Sequence, residues 1–572
     1  MSHEIKDEEK ETLNFIEQIV EEHNKTGRFN QKVHTRFPPE PNGYLHIGHA
    51  KAICVSFDLA AKYGGKTNLR FDDTNPTTEK TDFVHAIQRD IQWLGFDWED
   101  RKFFASDYFQ QLYDYAVQLI KKGKAYVDFS SSETMDKEKR QGQESQYRNT
   151  SIEKNLEEFE KMKNGSYDSG TCALRLKIDM QADNWLMRDP IIYRIINDVH
   201  HHRTGDAWNI YPMYDWAHGL SDSIEGITHS LCSLEFEVHR ELYDWCLVEL
   251  GVYQPQQIEF SRLNVSYTVT SKRKLKELIE LNIVEGWDDP RMPTISAMRR
   301  RGYPAAAIKN FVRRVGVSKR EQHIELSTLE GCVRDELNHS APRVMGVLDP
   351  LKVVITNYPE GQGEELSIKY NDKDESKGAR IVPFSREIYI EKEDFVAEAP
   401  NKKWRRLAPG RDVRFKGAYI LHCTGFKAGD NGEVEEVYCT YYDNSKSGSD
   451  QSGIKAKGVL HWVSVAHAVP ANVRVYDRLF SNPSPTTQKE KFINERGKED
   501  KRSIDFKTFL NPDSLHVANA YLEPSLASAQ VGDTFQFMRL GYFCVDTESQ
   551  AEQLVFNRTV SLKDSWAKMQ KK

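Results

Sequence analysis

The spacing of apolar positions changes character several times along the chain. Leu13, Phe15, Ile16, Ile19 and Val20 recur at helical spacing among acids, which predicts a short amphipathic helix over 12–23. From Val33 a short apolar strand runs into a loop holding Pro38, Pro39, Pro41 and Gly43, and a helix is predicted from Ile47 to Tyr63. A second strand, Thr67 to Phe71, ends at Asp72 and Asp73, and the next helix carries Phe83, Ile87, Ile91 and Leu94. This alternation predicts a parallel, helix-covered sheet whose ligands gather at the C-terminal ends of the strands. Residues 101–210 mix helical patterns with strand-like runs such as Cys172 to Ile178, as an inserted domain would. Tyr211 to His218 then opens another helix, and a strand near Ile258 to Phe260 precedes a loop from Thr270 to Lys274.

Lys274 to Leu337 is helical in texture. After Pro342 the period becomes that of strands: Glu387 to Ile390, Asp412 to Tyr419, Val434 to Tyr442, Val459 to Val465, Val473 to Tyr476 and Phe535 to Val545, punctuated by Gly and Asn turns. One or two antiparallel barrels of roughly 100 residues each are expected there. The polar segment Pro483 to Arg502 reads as a long mobile loop.

With 572 residues the chain exceeds one hydrophobic core, and 39% hydrophobic with 29% charged residues describes a globular, soluble protein. The net charge of -7 argues against bulk coating of nucleic acid, so a polyanion would have to meet a local patch. Two such patches exist: 270–320 holds 13 Lys/Arg against five acids, and 401–416 holds seven against one. Basic runs of this kind are usually solvated faces. Eight cysteines never approach C-x-x-C spacing, which indicates neither a disulfide framework nor a zinc ribbon, and fits a reducing cytoplasm. The N-terminus is charged over 4–10 and no long apolar run follows, so neither secretion nor a membrane span is expected. The triplet His200, His201, His202 lacks partnering cysteines and is expected to be surface rather than a metal site.

The stretch from His34 to Lys51, HTRFPPEPNGYLHIGHAK, sets His46 and His49 at a helix start. Backbone N–H groups there favour an anion, and Gly48 removes a side chain where a flat base could lie. Histidines that merely cap the helix are the alternative. The H-I-G-H string resembles the nucleotide signature of class I aminoacyl-tRNA synthetases, and its flanks resemble glutaminyl-tRNA synthetases. RFDDTNP, YPMYD, EGITHSLC, SRLN, SKRKL and EGWDDPRMPT follow in order, so the resemblance runs through most of the chain.

The resemblance implies a multidomain α/β plus β fold: an N-terminal lead-in (1–30), a Rossmann-type parallel-sheet catalytic domain (31–100 and 211–262) and an inserted acceptor-stem-binding domain (101–210). A helical subdomain with a KMSKS-like loop (263–338), a proximal barrel (339–398 and 477–572) and a distal barrel (399–476) follow. It implies ATP with Mg2+ as cofactor, no structural metal, tRNA and glutamine as partners, and a cytoplasmic monomer. His46, His49 and Lys272 would be catalytic, stabilising charge on the α-phosphorus and the leaving pyrophosphate. Pro39, Glu40, Asn42, Gly48, Arg262, Leu263 and Ser271 would join them around ATP. The second signature here reads Val269, Thr270, Ser271, Lys272, Arg273, without the first Lys and the Met of the general pattern. Without the family, SKRK is a solvated basic turn.

For the amino acid the resemblance assigns Arg36, Asp72, Tyr214, His218, Cys232 and Gln257, with Asp72 facing the α-ammonium. A self-capped Asp-Asp-Thr-Asn-Pro turn, a core Tyr214 and a structural Cys232 are the bland alternatives. A glutamate site needs a neutralising cation and a glutamine site does not, so a neutral thiol at Cys232, where related glutamyl enzymes tend to carry Arg, favours glutamine. Arg343, Arg406, Arg414, Gln536 and Arg539 match anticodon-reading positions. Lys416 stands where Arg is more usual, Val238 replaces an acid near the acceptor stem, and Ser130 to Arg148 departs from the pattern expected of the acceptor-end hairpin. The rival expectations are a glutamate-specific enzyme and a catalytically silent RNA-binding paralogue.

Overall fold

The computed structural model describes residues 12–493 and 499–563, so the charged stretch at 4–10 lies outside the described residues. One unit comprises Met1–Asn264 with Val312–Ile324, and a second comprises Val265–Phe311 with Glu325–Lys572.

The first unit opens on helix α1 (Phe15–Thr26), where Asn14 accepts from the backbone of Ile16 and Glu17, and Glu17 returns a bond to Asn14. Ile16 and Val20 bury its apolar face, and Gly27 ends it in the left-handed conformation. Strand β1 (His34–Phe37), helix α2 (Ile47–Lys62) and strand β2 (Lys66–Phe71) follow, with β1 and β2 parallel and Arg36 opposite Asn68. Helix α3 (Thr81–Trp93) leads to strand β3 (Lys102–Phe104), parallel to β2. A second parallel pair, His229–Ser233 with Gln256–Phe260, lies beside β1, to which Thr228 N–H bonds through the His34 carbonyl at 2.8 Å. The βα alternation read from the sequence is present here. Between these pairs the chain builds an antiparallel four-stranded sheet from Ala125–Asp128, Ala173–Leu176, Ile191–Ile195 and Ile210–Pro212. Tyr211 therefore belongs to that sheet, and the helix expected to open at Tyr211 begins at Tyr214. Within the sheet, buried Arg175 on Ala173–Leu176 is paired with Asp128 on Ala125–Asp128 at 2.7 Å.

The second unit starts with four helices, Lys272–Glu280, Ile295–Arg300, Ala305–Val315 and Leu326–Ser340, of which Ala305–Val315 runs past the division between the units. Two seven-stranded sheets follow. In one, Pro350–Ile355 pairs with Glu387–Glu391 and Val434–Tyr441, and the sheet continues through Ile420–Ala428 and Asp412–Phe415. The other joins Arg343–Val344 and Gly346–Val347 to Val469–Tyr476, Leu515–Leu522, Thr534–Phe537, Gly541–Val545 and Leu554–Ser561. The expected border between the barrels is thus corrected: 350–391 pairs with 412–464, not with 477–572, because its alternate residues Leu351, Val353, Ile355, Ile388 and Ile390 share a core with Val437, Cys439 and Trp462. The segment expected as a mobile loop from Pro483 to Arg502 contains an antiparallel hairpin, Lys489–Ile493 with Glu499–Ser503, whose alternating charges hid a strand exposed on both faces. Residues 494–498 lie outside the described residues.

Gly302, at the end of Ile295–Arg300, has φ +93°, and a Cβ there would lie 2.4 Å from Cys544 Cβ and 2.6 Å from Thr559 Oγ1. Gly302→Ala is expected to lower stability by at least about 2 kcal/mol, combining overpacking with left-handed strain. Urea unfolding checks this; a change below about 0.5 kcal/mol would mean the contact is relieved by a small shift.

Candidate active site

His46 is the N-cap of α2, its Nδ1 accepting from Gly48 N–H at 3.1 Å, while His49 Nδ1 accepts from His46 N–H at 3.0 Å. The two rings lie 3.8 Å apart. A Cβ on Gly48 would come within 2.9 Å of the His46 ring. The His46 imidazole therefore lies against the side of Gly48 that a side chain would occupy. The capping alternative describes this geometry: the His46, Gly48 and His49 N–H groups are bonded within the turn, and two imidazoles flank the helix start. Pro39 O accepts from Asp72 N–H at 3.0 Å and Glu40 O from Asn42 N–H at 2.9 Å, which shapes the loop before the helix. Leu263 is buried, and Arg262 ion-pairs with Glu235 at the surface. Ser271 and Lys272 belong to the second unit: Ser271 is exposed and precedes the helix Lys272–Glu280, so the loop expected to run to Lys274 ends earlier and places Lys272 on the first helical turn.

Of the residues expected around the amino acid, Arg36, His218 and Cys232 gather about one buried carboxylate, Asp222. Arg36 has no exposed surface and donates Nε to Asp222 Oδ1 (2.9 Å), Nη1 to Leu231 O (2.7 Å) and Nη2 to Ser230 Oγ (2.9 Å) and Cys232 Sγ (3.4 Å). Arg70 also reaches Asp222 Oδ1, at 2.6 Å, and Glu225 at 3.1 Å. Ser230 Oγ and Tyr243 OH donate to Asp222 Oδ2 at 2.6 and 3.1 Å. Burial alone would raise the Asp222 pKa, but the Arg36 and Arg70 cations hold it well below the usual carboxylate range. Burial drives His218 down to about 3 and raises the Cys232 thiol and the Tyr214 phenol. His218, Cys232 and Tyr214 are therefore neutral near pH 7, and Arg36, Arg70, Asp222 and Glu225 sum to zero charge.

Tyr214 stacks on His218 with ring centroids 5.0 Å apart, and His218 Nε2 is 3.6 Å from Cys232 Sγ. Gln257 is buried, donating to Phe236 O (3.0 Å) and Glu259 (2.9 Å). Asp72 accepts from Thr74 Oγ1 at 3.0 Å, and burial pushes its pKa up to about 6.

The expectation that the His triplet is surface holds for His200 and is corrected for the others. His201 and Gly205 exchange backbone bonds at 3.1 and 2.9 Å, which folds the turn back and buries His201 against Asp73. Ligating atoms of Asp73, His201 and His202 lie within 4.8 Å of one another. Yet His201 Nδ1 accepts from Arg203 and Thr204 N–H (3.2 and 3.1 Å) and its Nε2 donates to Asp73 O (2.8 Å), so both ring nitrogens are committed.

In the second unit, Arg539 binds Asp394 through both terminal nitrogens at 2.5 and 2.6 Å, and Arg406 Nε lies 3.3 Å from the same carboxylate. Both line a cavity of about 390 Å³ with Arg405, Lys457, Gly458 and Leu460. Arg539 has φ 69°. Arg343 Nε donates to Gln536 Oε1 at 3.1 Å; Arg414 donates to Ser445 O at 2.7 Å and pairs with Asp450, and Lys416 with Asp372. The basic patch at 270–320 is less available than its composition suggested. Arg300 is bound to Asp546 and Glu548, Arg301 to Thr559 O, and Arg313 to Asp58. Val238 is 58% exposed, an apolar tip where an acid was the expected contact.

Sequence reasoning missed Asp222 and Lys51. Asp222 stands four residues after His218 on the helix Tyr214–Ile224, a spacing that places both on one face. Lys51, two residues past His49, is buried with Nζ on Ser261 O at 2.8 Å; burial lowers its pKa to about 8. It ties the first signature helix to the SRLN segment.

The family model for the catalytic domain of tRNA synthetases class I (E and Q) matches 32–339, and two models for the anti-codon binding domain of the same family match 341–442 and 459–546. The chain belongs to the class I glutamate and glutamine tRNA synthetase family. It is 50% identical over 563 residues to the Glutamine--tRNA ligase of Proteus mirabilis, covering 98% of each chain, and 50% identical over 575 residues to that of Colwellia psychrerythraea, covering 99% of this chain and 100% of the relative. A solved glutamate tRNA ligase from Elizabethkingia meningosepticum matches at 18% identity with a TM-score of 0.40, covering 54% of this chain and 70% of the other. The family accounts for a catalytic domain followed by two C-terminal β domains with barrel-like sheets.

Asp222→Asn leaves Arg36 and Arg70 buried with only Glu225 to offset them, and is expected to cost about 3–5 kcal/mol. Denaturant unfolding of the variant measures it; an unchanged midpoint would remove Asp222 from its structural place.

Proposed function

We propose that the chain is a glutamine–tRNA ligase: L-glutamine and MgATP give glutaminyl adenylate and pyrophosphate, and the 3'-terminal adenosine of tRNA(Gln) accepts the acyl group. The full-length identity to proteins of that name supports the reaction class. The observation that carries the choice of amino acid is the charge-balanced wall around Cys232. Arg36 touches the thiol, but Asp222 offsets its cation, and no uncompensated positive charge remains to hold a glutamate carboxylate.

In this reading Asp72 holds the α-ammonium, and Tyr214, His218, Cys232 and Gln257 surround the side-chain amide. The substrate carboxylate is itself the nucleophile, so the chain supplies positioning and electrostatic relief rather than a general base. His46, His49 and the start of α2 steady the phosphates with Pro39, Glu40, Asn42, Gly48, Arg262 and Leu263, while Ser271 and Lys272 follow charge onto the leaving pyrophosphate. A magnesium ion would arrive on the phosphates and offset their charge. Residues 101–210 would carry the acceptor stem, 263–338 the second signature, and the two sheets the anticodon, with Arg343, Arg406, Arg414, Gln536 and Arg539 reading bases or phosphates. A monomer working in the cytoplasm completes the proposal.

Charging of purified tRNA(Gln) with labelled glutamine and glutamate side by side tests the assignment, and equal or greater use of glutamate would defeat it. Cys232→Arg should shift preference toward glutamate. His46→Asn retains a side chain able to cap a helix, so a phosphate role predicts kcat falling by about 10-fold or more with KM little changed, whereas a capping role alone predicts near-normal turnover.

Asp72 needs its charge to hold an ammonium. Below its folded pKa of about 6 it is protonated, so kcat/KM for glutamine is expected to fall toward about tenfold per pH unit under pH 6. A profile flat from pH 5 to 7 would exclude Asp72 from the ammonium site.

A further inference from the structure

All eight cysteines are buried. Two of them, Cys423 and Cys439, stand directly opposite each other on the antiparallel strands Ile420–Ala428 and Val434–Tyr441. The backbone decides how close they come. Cys423 N–H bonds to Arg411 O and its carbonyl accepts from Gly410, both on the strand's other side, while the Cys439 carbonyl accepts from Thr356. Neither residue spends its main-chain groups on the other, so they form a non-hydrogen-bonded pair, the kind in which Cα atoms lie about 4.5 Å apart and side chains approach most closely. Both side chains enter the same barrel core. That spacing lies within the range of about 4.4–6.8 Å that a disulfide spans.

We propose that Cys423 and Cys439 form a redox-modifiable dithiol, which a small hydroperoxide converts into a reversible cross-strand disulfide. The two thiols also interact: a hydrogen bond with Cys439 holds the Cys423 pKa below its ordinary value, and the same bond with burial pushes Cys439 well above. By contrast, burial raises Cys172, Cys232, Cys246 and Cys544. Cys423 thiolate attacks one peroxide oxygen, the O–O bond breaks, and hydroxide leaves to become water with a proton from solvent. Cys439 sulfur then attacks the resulting sulfenic sulfur; the S–S bond forms, the S–O bond breaks, and the departing hydroxide takes the Cys439 proton as the second water. Two thiols lose two electrons and one hydroperoxide gains them. Access is through the ladder itself, which is interrupted by a register shift between Cys423 and Gly425 next to exposed Thr424, so local opening admits a small oxidant.

The full-length enzyme is treated with hydrogen peroxide, quenched and denatured, and its thiols are counted and mapped by peptide mass spectrometry. Loss of two thiols out of eight, a single linked peptide pair joining Cys423 to Cys439, and return to eight with dithiothreitol are expected. Cys544→Ser should lose the same two, and Cys439→Ser should instead leave Cys423 as a sulfenic acid trapped by dimedone. Eight surviving thiols, loss at other cysteines, or oxidation that dithiothreitol does not reverse would each overturn the proposal. The wild-type map decides the matter even where a variant folds poorly.

Discussion

One buried carboxylate, Asp222, sets the geometry around Arg36, His218 and Cys232. Asp222 receives Arg36 from β1, Arg70 from β2, Ser230 from the strand His229–Ser233 and Tyr243 from the helix Arg240–Leu250. Four elements that meet only in the folded state are thereby fixed to the helix Tyr214–Ile224. Such a cluster adds little net stability, because desolvating the charges costs about as much as their attraction returns. It is highly directional, however. Any shift of β1 relative to that helix would leave a guanidinium in the protein interior without its acceptor, so strand and helix are held in one relative position.

The same cluster makes selectivity an electrostatic problem. A pocket for a neutral amide has to supply polar partners while presenting no net charge, yet Arg36 lies within 3.4 Å of Cys232 Sγ. With Asp222 and Glu225 balancing Arg36 and Arg70, an incoming carboxylate would lose its hydration and find every cation already partnered. An amide gives up far less solvation and needs only hydrogen bonds. Selectivity would then reside in the second layer as much as in the thiol, since the thiol's neutrality would count for little beside an unbalanced guanidinium.

Where local chemistry determines structure, the sequence was legible. The Pro/Gly loop before α2, the strand ending at Asp72, and the alternating strands beyond Pro342 all follow from short-range spacing. The polar interior was not legible. Arg36, Arg70 and Asp222 look like surface residues in one dimension, and only long-range pairing over 152 and 186 positions reveals them as core. The His triplet failed for the same reason: its burial depends on a turn closed by Gly205 and on Asp73, far away in sequence. The border between the barrels was missed because strands such as Pro350–Ile355 pair with a distant partner, and alternation fixes which face is buried without naming the neighbour.

Counting basic residues also takes no account of which of them are ion-paired, and the difference bears on recognition. Arg300 and Arg301 carry positive charge on paper but are consumed in ion pairs and carbonyl contacts that pin helices to a sheet. Arg406 and Arg539 are different. They share the buried carboxylate of Asp394 at the edge of an open cavity, and Arg406 also pairs with Glu393, so these two cations meet two anions while Arg405 and Lys457 add further positive charge to the same cavity. Arg539 is held in a left-handed backbone conformation that a non-glycine residue adopts only under constraint, as expected where a side chain must be aimed rather than merely packed. A buried anchor on one side and an excess of positive charge on the other turn a flexible arginine into an oriented donor, and orientation, more than the total of lysines and arginines, distinguishes a site that can read an unstacked base from a face that is only basic.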